Sequence, residues 1–218
     1  MTSTNSHMDL PLTVFGTPLK DAHTAVLLLH GRTQTPADMF DMIVRRLDLP
    51  GVAYFAPAAA GNTWYPESFI SPLEKNQPAL DHALSRLQAL SDDLAGEGFG
   101  PAQQIVMGFS QGACLGCEFV WRQSRAYRAL VGFTGALIGP DRQRVPRSRD
   151  FGDMPVLLGG RDEDPWVSAS CMADTSASFR AAGAQVKLRL YPGKVHEIND
   201  DEIGRARSLL QGFTAIAT

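Results

Sequence analysis

The sequence lacks a long hydrophobic run and a strong excess of charge of either sign. Its 218 residues include 20 Lys and Arg and 23 Asp and Glu, for a formal net charge of -3. A membrane-spanning helix needs about 20 consecutive apolar residues, and no such stretch is present. A near balance of charge gives no broad attraction to nucleic acid or an anionic membrane. We therefore expect no nucleic-acid partner, no stable membrane insertion, and a neutral or weakly charged small molecule as substrate.

An even set of cysteines is also missing, because the three present, Cys114, Cys117 and Cys171, cannot all pair. The first ten residues lack the basic start and apolar stretch of a signal peptide. Both features predict free thiols in a reducing compartment, the cytoplasm. Cys114 and Cys117 have C-x-x-C spacing but lie in an apolar helical run, which favours two small buried residues.

The chain is interpreted as one domain. Residues 1–10 are polar and are assigned to an N-terminal tail, and residues 11–218 form a single unit of a length that α/β domains commonly reach. Two connections, 58–77 and 136–154, are longer than usual, and long ordered loops are often functional. Neither is long enough to be a separate lid domain. The sequence leaves the oligomeric state open, a homodimer included.

Short apolar runs alternate with helical patterns along most of the chain. The runs interpreted as buried strands cover residues 26–29, 52–55, 105–109, 130–133, 156–158 and 186–191. Helices are predicted after a capping-box pattern at Thr35, at about 78–94, at 111–123, at 168–182, and after a second capping box of Asn199 and Glu202. The alternation predicts an α/β fold, a mostly parallel central sheet with helices on both faces, with residues 12–15 as an antiparallel edge.

A nucleophile motif follows one of these strands. Residues 108–112 read GFSQG, between a strand pattern and a buried helix pattern, which is the context of the G-x-S-x-G motif. Small flanking residues permit the sharp turn that the motif requires, and the serine lies at the positive end of the helix. We predict that Ser110 is the nucleophile. The alternative is an ordinary strand-to-helix turn.

A serine hydroxyl is a weak nucleophile at neutral pH and requires a base that a carboxylate orients. His196 is the only histidine after Ser110, and its loop leaves the last strand pattern, so we predict that it is the base. The acid is expected after the preceding strand, where Asp162, Glu163 and Asp164 are candidates. Asp164 is favoured because it stands just before the next helix. The other carboxylates are interpreted as solvated residues or as hydrogen-bonding partners within the turn.

Acyl transfer passes through an oxyanion that two backbone N–H groups commonly stabilise. In this motif one N–H comes from the residue after the nucleophile, Gln111, and the other from the turn after an early strand, which we assign to Arg32. His30 precedes that turn and is interpreted as a residue that orders the loop by hydrogen bonding. The remaining histidines, His7, His23 and His82, are interpreted as surface residues.

Three aromatic residues and four arginines lie near the predicted site. Trp64 and Tyr65, in the connection after the strand at 52–55, are expected to form pocket walls; the alternative is that they pack the loop onto the body. Trp166, beside the candidate acid, is assigned to the pocket with the same alternative. The arginines offer a site for a carboxylate or phosphate, although a solvated loop is the simpler explanation. They are Arg142, Arg144, Arg147 and Arg149.

Together these residues resemble the phospholipase/carboxylesterase branch of the α/β-hydrolases, which includes the acyl-protein thioesterases. The motifs are LHGR at 29–32, GFSQG at 108–112, DPWVS at 164–168 and HEINDDEI at 196–203, so the resemblance covers nearly the whole chain. It implies an α/β-hydrolase fold without a large cap, acting without a cofactor or metal, and it supports Asp164 as the acid. Two departures, Thr33 where the family often has glycine and Ser168 where it often has proline, bear on loop shape and substrate fit.

The resemblance and the residues together imply a serine carboxylesterase that hydrolyses short- to medium-chain esters through an acyl-enzyme. An acyl thioesterase, acting on acylated proteins or acyl-CoA, and a lysophospholipase are alternatives with the same catalytic groups. Peptidase or lactonase activity would use them as well. A non-catalytic ligand-binding homologue is a further alternative, because a fold alone never guarantees function.

Overall fold

The computed structural model of the chain describes residues 5–123, 125–141, 144 and 151–214. In this part a sheet of seven strands has the order β1-β3-β2-β4-β5-β6-β7. The strands are β1 (Leu12–Gly16), β2 (Thr24–Leu29), β3 (Val52–Pro57), β4 (Gln104–Phe109), β5 (Ala129–Phe133), β6 (Pro155–Arg161) and β7 (Gln185–Tyr191). Only β1 runs antiparallel to its neighbour. The predicted α/β class and the antiparallel edge are therefore confirmed.

Helices cover both faces of the sheet. Helix α1 (Pro36–Met39) continues through a π-helical segment (Phe40–Val44) into a last turn (Arg45–Leu47); the others are α2 (Ala79–Gly96), α3 (Gln111–Gln123), α4 (Ala169–Ala181) and α5 (Asp200–Thr214). Alternate residues of β2 enter opposite cores: Leu27 packs with α2, α3 and α4, whereas Leu28 packs with α1 and α5. This two-sided burial explains why the parallel strands read as continuous apolar runs. Within the described ranges no helix combines the length and apolar character needed to cross a bilayer.

The helix limits agree closely with the local sequence signals. Thr35 and Asp38 form the predicted capping box at the start of α1, and α3 spans the predicted residues. The side chain of Ser168 accepts the N–H of Cys171 at the start of α4. The π-helical segment was not predicted, because the buried residues Met39, Ile43 and Leu47 also fit an ordinary helical stripe.

The interpretation of His7 as a surface residue is wrong. Its side chain is 1% exposed, its Nε2 lies 3.2 Å from the carbonyl oxygen of Trp64, and its Nδ1 accepts the N–H of Ala60 at 2.9 Å. Burial lowers the pKa of His7. Asn5 and Leu10 also form hydrogen bonds with α2, so this part of the predicted tail contacts the domain. The boundary at residue 11 stays a prediction. His23 and His82 are partly exposed.

Glu202, at the start of α5, combines capping with deep burial. Its Oε2 accepts the N–H of Asn199 at 3.0 Å, and its own N–H donates to Oδ1 of Asn199 at 3.0 Å. The other carboxyl oxygen, Oε1, is buried and has no hydrogen-bond partner among the described residues. Burial disfavours the charged carboxylate and raises the pKa of Glu202 to about 7.

Glu202→Gln is expected to stabilise the protein at alkaline pH and to have little effect in acid. Because the folded-state pKa, about 7, exceeds the ordinary value of 4.5, the wild type loses stability as the pH rises through this interval, whereas glutamine does not titrate. In urea unfolding, the variant's advantage should grow from near zero at about pH 4 to on the order of 3 kcal/mol at about pH 8.5. The exposed control Glu97→Gln should show no such growth. An advantage independent of pH would contradict this account.

Candidate active site

The nucleophile turn lies at the centre of the sheet, between β4 and α3. Ser110 has a φ of +54°, a left-handed conformation that costs energy for a residue with a side chain. Its N–H donates to the carbonyl oxygen of Phe133 at 2.9 Å, which ties the turn to β5. A Cβ at Gly108 would lie 2.7 Å from the backbone of Gly112, and one at Gly112 would overlap the carbonyl of Leu29. The two motif glycines therefore allow the close packing that this turn requires.

The structure brings the side chains of Ser110, His196 and Asp164 into one hydrogen-bonded chain. Nε2 of His196 lies 2.8 Å from Oγ of Ser110, and Nδ1 lies 2.7 Å from Oδ2 of Asp164. The Asp164 side chain is fully buried, and its Oδ1 accepts the backbone N–H groups of Trp166 and Val167 at 2.9 Å each. The Phe109 ring packs 4.9 Å from the imidazole. The carboxylate is thus held in place independently of the histidine.

The two less favoured acid candidates make other contacts. Oδ1 of Asp162 accepts the N–H of Gly193 at 2.9 Å, which joins the loop after β6 to the loop after β7. Glu163 forms an exposed ion pair with Lys194 at 3.2 Å. Of the three neighbouring carboxylates, the structure brings only Asp164 to His196.

The two predicted oxyanion donors occupy adjacent turns. Gln111 is the first residue of α3, and Arg32 lies in the turn after β2. Next to Arg32, the N–H of Gly31 donates to the side chain of Gln34 at 2.9 Å and that of Thr33 to the carbonyl of Asn62 at 2.8 Å. Over the described part of the chain, the N–H groups of Arg32 and Gln111 themselves donate to no protein atom. Both are therefore available to a ligand.

His30 orders the turn that carries Arg32. Its Nε2 accepts the N–H of Ala59 at 3.1 Å, so the ring proton resides on Nδ1, which donates to the carbonyl of Gly31 at 2.8 Å. Burial lowers the pKa of His30, which favours this neutral tautomer. The His30 carbonyl in turn accepts the indole N–H of Trp64 at 2.8 Å. The structure agrees with the predicted ordering role.

The prediction of Trp64 and Tyr65 as pocket walls differs from the structure. Their side chains are 0% and 1% exposed, and the Trp64 ring lies 4.8 Å from the ring of His30. Both aromatic side chains anchor their loop to the domain, because the burial of a large apolar ring stabilises the folded state. Trp166 is 71% exposed, and Val195, next to His196, is 59% exposed. The loops after β6 and β7 therefore each carry an exposed apolar residue within two positions of a triad member.

The predicted anion site receives no support from the one arginine that can be described. Arg142, Arg147 and Arg149 lie outside the described residues. Arg144 forms an ion pair with Glu118, whose carboxylate is fully buried in α3, at 3.0 Å, and it also donates to the carbonyl of Ile138. Glu118 pairs with Arg122 at 2.6 Å as well. A buried carboxylate requires such partners, so Arg144 is committed to the fold.

The sequence contained a signal for this ion cluster that the prediction missed. Glu118 is the one acidic residue in a helix that is otherwise apolar on most sides, and an acidic residue at a buried position implies a basic partner. One partner, Arg122, lies one helical turn further along α3. The position of the other, Arg144, 26 residues further along the chain, was not evident from the sequence.

An α/β-hydrolase is the class of protein that this fold and nucleophile turn define, and comparison with known proteins identifies the family. A family model described as Phospholipase/Carboxylesterase matches residues 13–213. The chain belongs to the phospholipase/carboxylesterase family. The family predicted from the motifs is confirmed. The predicted class of enzyme, a carboxylesterase-type hydrolase, is confirmed as the class of this family.

Individual relatives agree with this assignment. The crystal structure of a phospholipase/carboxylesterase from Dyadobacter fermentans is 34% identical, with a TM-score of 0.84, over 93% of this chain and 97% of the other. The crystal structure of esterase PE8, at 24% identity and a TM-score of 0.78 over 93% and 98% of the two chains, shares the fold. Acyl-protein thioesterase 1 of Debaryomyces hansenii is 26% identical over 114 residues, 50% of this chain and 48% of that protein. This last match spans about half the length of the curated relative.

Gly112→Ala is expected to destabilise the protein because its Cβ would overlap the carbonyls of Leu29 and His30. Overpacking against a backbone that cannot move costs about 1–3 kcal/mol or more, to be measured by urea unfolding. Gly204→Ala, at an open position in α5, is the matched control and should stabilise the protein by about 0.5–1 kcal/mol. Wild-type stability of Gly112→Ala would contradict the described packing of the turn.

Proposed function

We propose that the protein is a serine carboxylesterase that hydrolyses short- to medium-chain carboxylic esters through an acyl-enzyme on Ser110. The observation that carries the proposal is the continuous hydrogen-bonded chain from Ser110 through His196 to Asp164, with distances of 2.8 and 2.7 Å. These distances are within the reach that a nucleophile, its base and an orienting carboxylate require. Membership of the phospholipase/carboxylesterase family supports the same reaction.

Acylation begins when Nε2 of His196 takes the proton of the Ser110 hydroxyl. The serine oxygen attacks the carbonyl carbon of the ester, and the carbonyl oxygen becomes an oxyanion that accepts hydrogen bonds from the N–H groups of Arg32 and Gln111. The bond to the alkoxy group then breaks. His196 returns its proton to the departing oxygen, so an alcohol leaves and the acyl group remains on Ser110.

Deacylation repeats these steps with water as the nucleophile. His196 takes a proton from the water, the resulting tetrahedral adduct is held by the same two N–H groups, and the bond to the serine oxygen breaks. That oxygen recovers the proton from His196, which regenerates the enzyme. The net reaction consumes one ester and one water and produces one acid and one alcohol, so the chemistry needs no cofactor or metal.

Asp164 has an orienting role in this scheme. By accepting the Nδ1 proton of His196 it leaves Nε2 unprotonated and directed at Ser110, and it stabilises the imidazolium that forms during each proton transfer. The hydrogen bonds from the N–H groups of Trp166 and Val167 fix the orientation of the carboxylate.

Exposed apolar side chains near His196 support a substrate with neutral, apolar parts. Trp166 lies two residues after Asp164 and is 71% exposed, and Val195 directly precedes His196 and is 59% exposed. We assign Trp166 to the substrate pocket on this ground. The kcat/KM values of a chain-length series of p-nitrophenyl esters measure the acyl preference.

A thioesterase is the second candidate function. The partial similarity to acyl-protein thioesterase 1 favours it, and the same groups would cleave a thioester with a thiol as the leaving group. Matched oxygen esters and thioesters of one acyl chain distinguish the two proposals by their kcat/KM values. A protein that binds such ligands without turnover would react with neither.

The cytoplasm is the proposed compartment. Cys114, Cys117 and Cys171 are buried and form no disulfide. Burial raises the pKa of Cys114 to about 12 and that of Cys117 well above its usual range. Such cysteines act as packing residues, which agrees with a reducing environment.

Ser110→Ala is expected to abolish hydrolysis of p-nitrophenyl acetate, butyrate and longer esters, because no other group can form the acyl-enzyme. The loss in kcat should be on the order of 10⁴-fold or greater. Labelling by a fluorophosphonate, followed by mass spectrometry, should place the adduct on Ser110 of the wild type. Equal rates in wild type and variant would overturn the proposal, and a folded wild type that is not labelled would favour the non-catalytic alternative.

Asp164→Asn should lower kcat by roughly 10³–10⁴-fold, because an amide favours the wrong tautomer of His196. The neighbouring Glu163→Gln serves as the control, since the side chain of Glu163 forms an exposed ion pair with Lys194, and should stay within a few-fold of the wild type. Similar losses in both variants would mean that the loop, and not the carboxylate of Asp164, matters for activity.

A further inference from the structure

We infer that Arg32 and Gln111 are positioning residues, whose side chains set the geometry of the oxyanion site by hydrogen bonding to one loop segment, residues 64–67. The inference rests on the proposed function, in which the backbone N–H groups of these two residues stabilise the oxyanion. The side chains of the two residues make other contacts. Both bind the main chain of the connection between β3 and α2.

The guanidinium of Arg32 makes three hydrogen bonds to consecutive carbonyls. Nη1 donates to the carbonyl of Pro66 at 2.7 Å, and Nη2 donates to those of Tyr65 at 3.0 Å and Glu67 at 2.8 Å. A planar fork with several fixed donors suits such a set of acceptors, whereas a lysine ammonium lacks this geometry. The turn that carries the Arg32 N–H is thereby tied to the segment.

The buried side chain of Gln111 holds the same segment from the helix. Its Oε1 accepts the N–H of Trp64 at 3.0 Å, and its Nε2 donates to the carbonyl of Tyr65 at 2.8 Å. The Tyr65 carbonyl therefore accepts from Gln111 and from Arg32 at once. One peptide group links the two residues that carry the oxyanion donors.

The segment is itself a firm support. The indole N–H of Trp64 donates to the carbonyl of His30 at 2.8 Å, and the N–H of Glu67 donates to Oδ1 of the buried Asn76 at 2.8 Å. Nδ2 of Asn76 donates in turn to the carbonyl of Ser68 at 3.1 Å. With both ends fixed, the segment can hold the turn after β2 and the start of α3 at a constant separation.

This separation matters because an oxyanion site acts only through donors that are already in place. A reacting group displaced by about 1 Å can lose on the order of 100-fold in rate, and loss of one donor costs about 10²–10³-fold in kcat. Arg32 has an exposed side chain in a turn without helix or strand structure. The position of its N–H therefore depends most on the hydrogen bonds to segment 64–67.

The test uses Arg32→Ala, Arg32→Lys and Gln111→Met, all of which keep the backbone N–H at their position. Methionine has nearly the length of glutamine but makes neither hydrogen bond. The controls are Arg45→Ala, which removes an exposed guanidinium paired with Asp41, and Gln123→Met, at the far end of α3. Steady-state hydrolysis of p-nitrophenyl butyrate is measured together with the inhibition constant of an alkylboronic acid, which forms a tetrahedral adduct with an active-site serine. Urea unfolding verifies that each variant is folded under assay conditions.

We expect kcat to fall about 10- to 100-fold in Arg32→Ala and Gln111→Met while KM changes by less than about 3-fold, because both acylation and deacylation use the oxyanion site. The affinity for the boronic acid should fall in proportion to kcat/KM. Arg32→Lys should be closer to Arg32→Ala than to the wild type. Millimolar guanidinium should partly restore Arg32→Ala, whereas sodium chloride of equal ionic strength should not. Both control variants should behave as the wild type.

The inference is overturned if folded Arg32→Ala and Gln111→Met keep kcat within about twofold of the wild type, or if they lose activity while boronic acid binding is unchanged. Full activity of Arg32→Lys would show that charge alone suffices and would overturn the role of the fork. These failures are distinct from failure of the proposed function, in which Ser110→Ala would retain wild-type activity.

Discussion

The left-handed turn at Ser110 is the constraint on which the rest of the site depends. It is possible only because Gly112 packs directly against the end of β2, where a side chain would overlap the carbonyl of Leu29. The same contact brings the first turn of α3 beside the turn that carries Arg32. Backbone packing therefore fixes Ser110 and the N–H of Gln111 against the end of β2. The N–H of Arg32 depends in addition on the side-chain hydrogen bonds that Arg32 and Gln111 make to residues 64–67.

The histidine side of the site is held differently, by side chains that bind a loop. Asp162 accepts the N–H of Gly193, and Arg161 donates to the carbonyl of Pro192 and to Glu197 on either side of His196. Exposed ion pairs contribute little stability individually. Bonds to the main chain nevertheless fix where the loop lies, and this positions the imidazole between Ser110 and the buried carboxylate.

Interactions between residues close in sequence were predicted correctly, whereas several partners far apart in sequence were missed. The limits of α3 and both capping boxes were predicted because each signal lies within a few residues of its effect. The nucleophile, base and acid could be proposed because parallel strands place the loops after them at one edge of the sheet. The burial of Trp64 under His7 and His30, and the pairing of Glu118 with Arg144, join residues 26 or more positions apart. Composition and periodicity carry no information about such partners.

Two guanidinium groups are already occupied by protein oxygen atoms, and this bears on which substrates the site can accept. The positive charge of Arg32 is directed at loop carbonyls and that of Arg144 at Glu118, so neither guanidinium is free to receive an anionic group of a ligand. Trp64 and Tyr65 are buried, whereas Trp166 and Val195, which lie close in sequence to Asp164 and His196, are exposed. Both observations favour a neutral ester over an anionic one. Selectivity would then be determined by the loops after β6 and β7, which can change without disturbing the packed turn at Ser110.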